Sequence, residues 1–195
     1  MSLYALLFTM YNDEKRSAMT QDVVSYYTQN FPVDRLYVVD SANRGTDLLP
    51  RTQQAVFDQT RVRSSLKESQ HLTTKMELHS LMYAFAKLDF RRYTHVIKVT
   101  AKYKIENLSD ICIDPETELI IQREITPGFQ NTEVVGFSVD KVQAILSDIA
   151  SWNVSAMMEQ RVETVAATYV TQKLPKLNLI PPLYSRGLGD TLSFL

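Results

Sequence analysis

The chain has 195 residues, of which 45 % are hydrophobic and 22 % are charged. This composition is ordinary for a globular domain and excludes intrinsic disorder, which requires low hydrophobicity and a high net charge. The 21 Lys and Arg residues nearly balance the 22 Asp and Glu residues, which gives a net charge of −1. Proteins that bind nucleic acids usually carry a large excess of basic residues, so no nucleic-acid partner is expected.

Strand-like and helix-like segments alternate from the beginning of the chain. The apolar run at 3–9 is typical of a buried parallel strand. After it, apolar residues recur near the 3.6-residue helical spacing until Pro32 ends the pattern. The N-terminal half is thus predicted to contain a strand (3–9), a helix (14–30), a strand (35–40), a short helix (50–57), an edge strand (61–64) and a long helix (71–90).

The C-terminal half continues the alternation and ends in a segment rich in Pro and Gly. Its last two helices are predicted to be capped by Ser138 and by Asn153 or Ser155, whose side-chain oxygens can accept helical N–H groups. The loop-rich tail from about residue 172 is expected to wrap the surface or close over a site. The predicted elements are strands at 95–100, 118–122 and 133–137, a short helix at 107–111, and helices at 139–150 and 155–170.

This order predicts an α/β fold in which helices flank a mixed, mostly parallel central sheet, as one domain over residues 1–195. Such sheets bind ligands in the crevice beyond the carboxyl ends of their strands. The polar residues at those ends suit a base, a ribose and a diphosphate, with Tyr11 stacking on the base. The residues expected to contact these groups are Thr9, Tyr11, Asp40, Ser41, Lys98, Thr100, Lys102 and Tyr103.

Several other kinds of site are excluded. With 5 glycines, the chain has neither a Walker loop nor a GxGxxG phosphate cradle. The single Cys112 permits no internal disulfide, and His71, His79 and His95 are not spaced as metal ligands. No stretch approaches the roughly 18–20 apolar residues of a membrane span. We therefore expect no membrane span and a cytoplasmic location, in the host cytoplasm if the gene is viral.

Four charged residues have both a structural and a functional interpretation. Asp40 either caps the turn after its strand or contacts a ribose or uracil edge, and the sequence favours neither. Lys98 lies inside an apolar strand, where a charge needs a partner. It pairs with Glu77 or Glu133, or it faces a diphosphate, which is the interpretation we favour. Glu133 is an edge charge or a catalytic carboxylate, and Glu159 either pairs along its own helix or takes part in catalysis.

Three blocks of sequence carry a family resemblance: residues 4–12 (YALLFTMYN), 36–43 (LYVVDSAN) and 97–108 (IKVTAKYKIENL). They resemble nucleotide-sugar-dependent glycosyltransferases of the GT-A fold, and more narrowly the small glycosyltransferase domains of large chlorella viruses and of some bacterial capsule enzymes. In that group a Lys-x-Thr-Gly-Arg-Tyr block follows the strand where other GT-A enzymes carry a metal-binding Asp-x-Asp. Here Ala101 and Lys102 replace the Gly and the Arg. The resemblance covers roughly residues 3–165.

The resemblance implies a glycosyltransferase that moves a sugar from a nucleoside-diphosphate sugar, taken to be UDP-linked, to a glycan or glycoprotein acceptor. Such a reaction needs stabilisation of the leaving diphosphate and, if the anomeric configuration inverts, a carboxylate base. The candidate catalytic residues are Glu133, Glu159 and Lys98.

The resemblance also implies a divalent cation, Mn²⁺ or Mg²⁺, although the sequence contains no Asp-x-Asp. Asp40 and Glu133 are the candidate ligands, because hard cations prefer carboxylate and phosphate oxygens. Without a cation, Lys98 and Lys102 must neutralise the diphosphate. Two alternatives stay open: a catalytically inactive nucleotide- or glycan-binding module, for instance within a larger multidomain protein, and a sugar nucleotidyltransferase. The lack of glycine after the first strand counts against the nucleotidyltransferase.

Overall fold

The chain is organised around a seven-stranded sheet, with a second sheet of two strands beside it. The computed structural model describes residues 3–14, 16–65, 72–122, 132–151 and 158–180. Within these ranges the elements, in chain order, are β1 (Tyr4–Met10), α1 (Ser17–Asn30), β2 (Leu36–Asp40), β3 (Gln54–Val56), α2 (Gln59–Ser65), α3 (Leu72–Lys87), β4 (His95–Thr100), β5 (Lys104–Ile105), β6 (Leu119–Ile121), β7 (Val134–Ser138), α4 (Val142–Ser151), α5 (Met158–Ala166), β8 (Thr171–Lys173) and β9 (Leu179–Ile180).

The main sheet has the strand order β3-β2-β1-β4-β7-β6-β8. Strand β1 pairs in parallel with β2 and β4, as does β2 with β3 and β6 with β8. Strand β7 is antiparallel to both of its neighbours, β4 and β6, so among the described strands of this sheet it alone runs against the others. The prediction of a mixed, mostly parallel α/β sheet is confirmed.

Apolar layers cover both faces of the main sheet. Successive strand residues point to opposite faces, so Leu7 packs in the layer formed with α3, α4 and α5, whereas Leu6 and Phe8 pack in the layer formed with α1. Fully burying a Leu or Ile side chain contributes about 1.5–3 kcal/mol, so both layers stabilise the fold. In α4 the buried side chains follow the helical spacing, at Val142, Ile145, Leu146 and Ile149.

Two short elements differ in type from the sequence prediction. The helix predicted at 50–57 is replaced by a 3₁₀ turn at 51–53 followed by β3, which pairs with β2. The edge strand predicted at 61–64 is replaced by α2. The Asp58 carboxylate accepts the backbone N–H of Thr60 at 2.9 Å, which stabilises the start of that helix. In both places a specific partner outweighs local propensity.

The tail predicted to form loops contains two strands: β8 joins the main sheet beside β6, and β9 pairs with β5. Residues 181–195 lie outside the described part of the chain. Ser138 is the last residue of β7, and its Oγ has no hydrogen-bond partner among the described residues, so it does not cap α4. The caps predicted at Asn153 and Ser155 lie outside the described residues. In the described ranges, no helix is long and apolar enough to cross a membrane.

Gly136 provides a test of the packing between β7 and β6, because it lies directly opposite Ile120. A Cβ at Gly136 would lie 2.9 Å from the Ile120 Cβ, well inside the optimal carbon–carbon separation of about 3.5–4.0 Å. We expect Gly136→Ala to lower the free energy of unfolding by about 1–3 kcal/mol through overpacking, measured by urea unfolding. An unchanged midpoint would show that the two strands separate here without cost.

Candidate functional site

The carboxylate of Asp40, at the end of β2, is completely buried and surrounded by backbone N–H groups. Its Oδ1 accepts the N–H groups of Asn12 and Ala42, both at 3.0 Å. Its Oδ2 accepts those of Arg44 at 2.9 Å and Gly45 at 2.7 Å. Two donors on each oxygen leave little capacity for a cation or a ribose hydroxyl. The geometry therefore argues against direct ligand contact and favours the alternative in which Asp40 organises the turn.

The turn that Asp40 organises is held from several sides. Ser41 donates its hydroxyl to the carbonyl oxygen of Met10 at 3.2 Å, which ties the ends of β2 and β1 together. Gly45 has φ = 70°, and a Cβ there would lie 2.6 Å from the Gln54 Oε1. The same Oε1 accepts the N–H of Thr46 at 2.9 Å. The loop after β2 is thus preorganised by side chains that lie beneath it.

Other predicted binding residues lie at the carboxyl edge of the sheet with part of their surface accessible. Thr9 and Thr100 are directly paired across β1 and β4, and both are half-buried. Tyr11 is also half-buried and has the Arg16 guanidinium 5.5 Å from its ring centroid. Lys102 is exposed. These residues form an accessible polar edge where β1 and β4 end.

Tyr103 follows the same strand and is half-buried. Tyr27 of α1 supports this segment, because its hydroxyl donates to the Tyr103 carbonyl oxygen at 3.2 Å and accepts the Ile105 N–H at 2.9 Å. Burial raises the pKa of the Tyr103 hydroxyl, and the charge of Glu133 raises that pKa further. The phenol consequently stays protonated at neutral pH and remains a hydrogen-bond donor.

Lys98 does not have the position that we expected for a residue in contact with the diphosphate. Its side chain is 2 % exposed, and its ammonium forms an ion pair with the Glu77 carboxylate of α3. The same Nζ donates to the carbonyl oxygen of Thr132 at 2.7 Å. This arrangement matches the structural interpretation, in which a lysine inside an apolar strand is paired with Glu77.

Of the two candidate catalytic glutamates, Glu133 directly precedes β7, and Glu159 contacts Thr132, the residue before Glu133. The carbonyl oxygen of Glu133, just before β7, accepts the N–H of Thr100 at 2.9 Å. Glu159 lies in the first turn of α5, where the helix dipole favours a carboxylate. It accepts the hydroxyl of Thr132 at 3.5 Å. Thr132 therefore connects the beginning of β7 with the beginning of α5.

Sequence reasoning gave no role to Thr132 and counted Asn12 only among the polar residues that follow the first strand. Besides its hydroxyl, the structure uses the carbonyl oxygen of Thr132 as the acceptor for Lys98, and backbone atoms leave no signature in residue type. Asn12 donates its Nδ2 to the Gly45 carbonyl oxygen at 2.7 Å and links the loops after β1 and β2. Its position two residues after an apolar strand is the one signal in the sequence that points to it.

The residues described do not form a cation site by themselves. Among them, no group of three or more His, Cys, Asp or Glu side chains is arranged to hold a metal ion. Of the two predicted ligands, Asp40 has both oxygens engaged with N–H groups, as described above. A single glutamate at position 133 does not provide the several oxygen ligands that Mn²⁺ or Mg²⁺ requires.

No protein-family model and no curated protein sequence matches the chain. Solved structures do share its fold. A glycosyltransferase involved in the glycosylation of the major capsid of PBCV-1 aligns with a TM-score of 0.57 at 14 % identity, over 88 % of this chain and 82 % of that one.

Two further similar structures are larger proteins. The mannosyltransferase PcManGT from Pyrobaculum calidifontis, in complex with GDP-Man and Mn²⁺, aligns with a TM-score of 0.54 at 15 % identity, over 95 % of this chain. The 1–349 fragment of S. aureus TarS aligns with a TM-score of 0.51 at 14 % identity, over 90 % of this chain. The chain spans 58 % of the first and 59 % of the second.

The fold class is therefore that of the GT-A-like glycosyltransferases, as the resemblance of the three sequence blocks predicted. At 14–15 % identity these likenesses show the fold alone.

The role of Asp40 can be tested by Asp40→Asn. The substitution replaces one carboxylate oxygen, which accepts backbone N–H groups, by an NH₂ group, which cannot accept them. At least one charge-assisted hydrogen bond, worth about 1.5–3 kcal/mol, is therefore lost. We expect a comparable fall in the free energy of unfolding, measured in urea, with Asp47→Asn in the same loop, where the side chain is exposed, as the control. Wild-type stability together with loss of nucleotide binding would instead make Asp40 a ligand-binding residue.

Proposed function

We propose that the chain is a glycosyltransferase that transfers a sugar from a nucleoside-diphosphate sugar, with UDP as the nucleotide, to a glycan or glycoprotein acceptor. The observation that carries this proposal is the accessible polar edge at the ends of β1 and β4 in a GT-A-like sheet, with two glutamates beside it. Ligands of such sheets bind at this edge. A cytoplasmic location and a single domain over residues 1–195, alone or within a larger protein, stay predictions.

The donor would be bound by residues that stay accessible after the internal contacts are formed. Thr9 and Tyr11 would contact ribose and base, with the Tyr11 ring available for stacking. Lys102 would bring a positive charge to the diphosphate, and the protonated Tyr103 hydroxyl and the Thr100 hydroxyl would donate to its oxygens. Asp40 and Ser41 would act from beneath, by fixing the loops.

In the transfer step, the oxygen of the acceptor hydroxyl forms a bond to the anomeric carbon, and the bond from that carbon to the diphosphate oxygen breaks. UDP leaves with the bonding electron pair, and the acceptor proton passes to a carboxylate if the reaction inverts the anomeric configuration. We propose Glu133 as that base, because its carbonyl oxygen accepts the N–H of Thr100 at the polar edge and its charge raises the pKa of Tyr103. Glu159 is the second candidate, held near Thr132.

The family resemblance implies a divalent cation, and the similar mannosyltransferase structure contains Mn²⁺ with its GDP-Man. The described residues include no cluster that would hold a cation through protein ligands alone. We propose that a cation, if it takes part, binds chiefly through the phosphate oxygens of the donor.

A nucleotide- or glycan-binding module without activity is the second candidate. The observation that favours it is that two of the residues expected to act on the donor, Asp40 and Lys98, are engaged inside the protein. Release of UDP from UDP-glucose, UDP-galactose or UDP-N-acetylglucosamine separates the two functions. A transferase should release UDP slowly without an acceptor, whereas a module should bind the nucleotide without turnover.

Nucleotide choice is tested by thermal unfolding with UDP, GDP and CMP. A ligand at about 100 times its Kd adds about 2.7 kcal/mol, which for a chain of this size raises Tm by roughly 5–10 °C. We expect this shift with UDP and a smaller one with GDP. Mn²⁺ alone should leave Tm unchanged and should act only when UDP is present. Equal shifts with UDP and GDP would contradict the proposed nucleotide specificity.

The proposed base is tested by Glu133→Gln, with Glu159→Gln as the matched variant. Removing a general base usually costs 10²–10⁴-fold in rate, so we expect UDP release to fall at least about 100-fold in Glu133→Gln. The Kd for UDP should stay within about twofold, because the base contacts the acceptor side of the reaction. A comparable loss in Glu159→Gln alone would assign the base to α5 instead.

A further inference from the structure

Lys98 joins three elements of the fold through one buried ammonium group. It lies on β4, its ion-pair partner Glu77 lies on α3, and its second acceptor is the carbonyl oxygen of Thr132 just before β7. We propose that the Glu77–Lys98 pair positions the chain at residues 132–133 and, through it, the carboxylate of Glu133. The inference rests on the proposed function of Glu133, but its structural part can be measured separately.

The first step of the argument is that two successive carbonyl groups are held from the same strand. Lys98 donates to the Thr132 carbonyl oxygen at 2.7 Å, and the N–H of Thr100 donates to the Glu133 carbonyl oxygen at 2.9 Å. The Cα of Glu133 lies between these two carbonyl groups, so both bonds restrict the direction in which its side chain leaves the backbone. A displacement of about 1 Å at a reacting group can cost about 100-fold in rate.

The second step is that Glu77 is required for Lys98 to act. A lysine that is 2 % exposed loses most of its hydration, and a buried charge without a partner is strongly unfavourable. The Glu77 carboxylate supplies the compensating charge, while its side chain is still 24 % exposed. The paired ammonium then donates a charge-assisted hydrogen bond to Thr132, which is stronger than a bond between neutral groups.

The third step separates positioning from donor binding. The Cα of Lys98 lies two residues before the end of β4, about 7 Å along the strand at roughly 3.3 Å per residue, and its ammonium is held by Glu77 and by the Thr132 carbonyl oxygen. Its side chain is enclosed, whereas Lys102 beyond the strand end is exposed. Lys98 is therefore a positioning residue that acts through Thr132 and Glu133, and contact with the diphosphate is left to other groups.

The structural part is tested by amide hydrogen exchange, measured by NMR on the ¹⁵N-labelled full chain. In Lys98→Met we expect the amide of Thr100 to exchange at least tenfold faster, because its acceptor at Glu133 is no longer held in place. The amides of Leu6 and Phe8 in β1 should exchange at the wild-type rate. Lys104→Met is the matched control, since Lys104 is also partly buried and ion-paired, to Asp22 at 2.7 Å.

The functional part is tested by steady-state release of UDP from the UDP sugar that the wild-type chain hydrolyses fastest. We expect Lys98→Met to lower kcat at least tenfold, with KM for the donor and Kd for UDP within twofold of wild type. Glu77→Gln should lower kcat in the same way. The two losses should not add in the double variant, because both residues act through one contact.

Loss of stability is controlled with Glu77→Met combined with Lys98→Met, which removes both charges and often leaves stability unchanged or raised. We expect the Tm of this double variant to return toward the wild-type value while kcat stays low. If the pair only stabilised the fold, kcat would recover together with Tm. It also replaces Lys98→Met if the single variant does not fold.

Two results would overturn the proposal. Wild-type exchange of the Thr100 amide in a folded Lys98 variant would show that the pair does not hold residues 132–133. A tenfold rise in the Kd for UDP at unchanged kcat would show that Lys98 contacts the donor. A wild-type chain that neither binds UDP nor releases it from any UDP sugar would refute the proposed function, and the exchange experiment would still decide whether the pair positions this segment.

Discussion

The candidate site depends on a buried carboxylate that is solvated by backbone amides. A charge moved from water into a protein interior without partners is very unfavourable, and Asp40 meets this requirement with four N–H groups from the loops after β1 and β2. The same four bonds hold both loops in place before any ligand binds. Binding to preordered loops loses less conformational entropy. The rigidity of this edge thus comes from a side chain that is itself enclosed.

The charged and polar residues at this end of the sheet divide into an inner and an outer set. Asp40 and Lys98 are almost completely buried, and their partners are groups of the protein itself. Lys102, Tyr103 and Glu133 remain accessible to different extents. A buried charge is tolerated only with fixed partners, so the inner set is suited to holding backbone segments and the outer set to meeting a ligand.

Much of the architecture could be predicted because the central strands carry a local signal. The apolar run at 3–9 corresponds to β1 and the segment at 95–100, rich in Val and Ile, corresponds to β4, since strands buried on both faces are mostly apolar. The segments at 50–57 and 61–64 are short, and their structure was decided by pairing with β2 and by the Asp58 contact, which composition does not reveal.

The site was harder to predict than the sheet, for physical reasons. The rule that ligands bind at strand ends led to Thr9, Tyr11 and Lys102, which do lie at the accessible edge. Whether Asp40 turns outward or toward its own loop depends on backbone angles such as the φ of 70° at Gly45.

The reversed direction of β7 has its own consequence. Strand β6 ends and β7 begins at the same edge, so the connection between them has its two ends on neighbouring strands. The entropy of closing such a connection grows only slowly with its length. Proteins with this sheet can therefore lengthen or shorten that one connection, and so vary what lies beside the glutamate, without altering the strands.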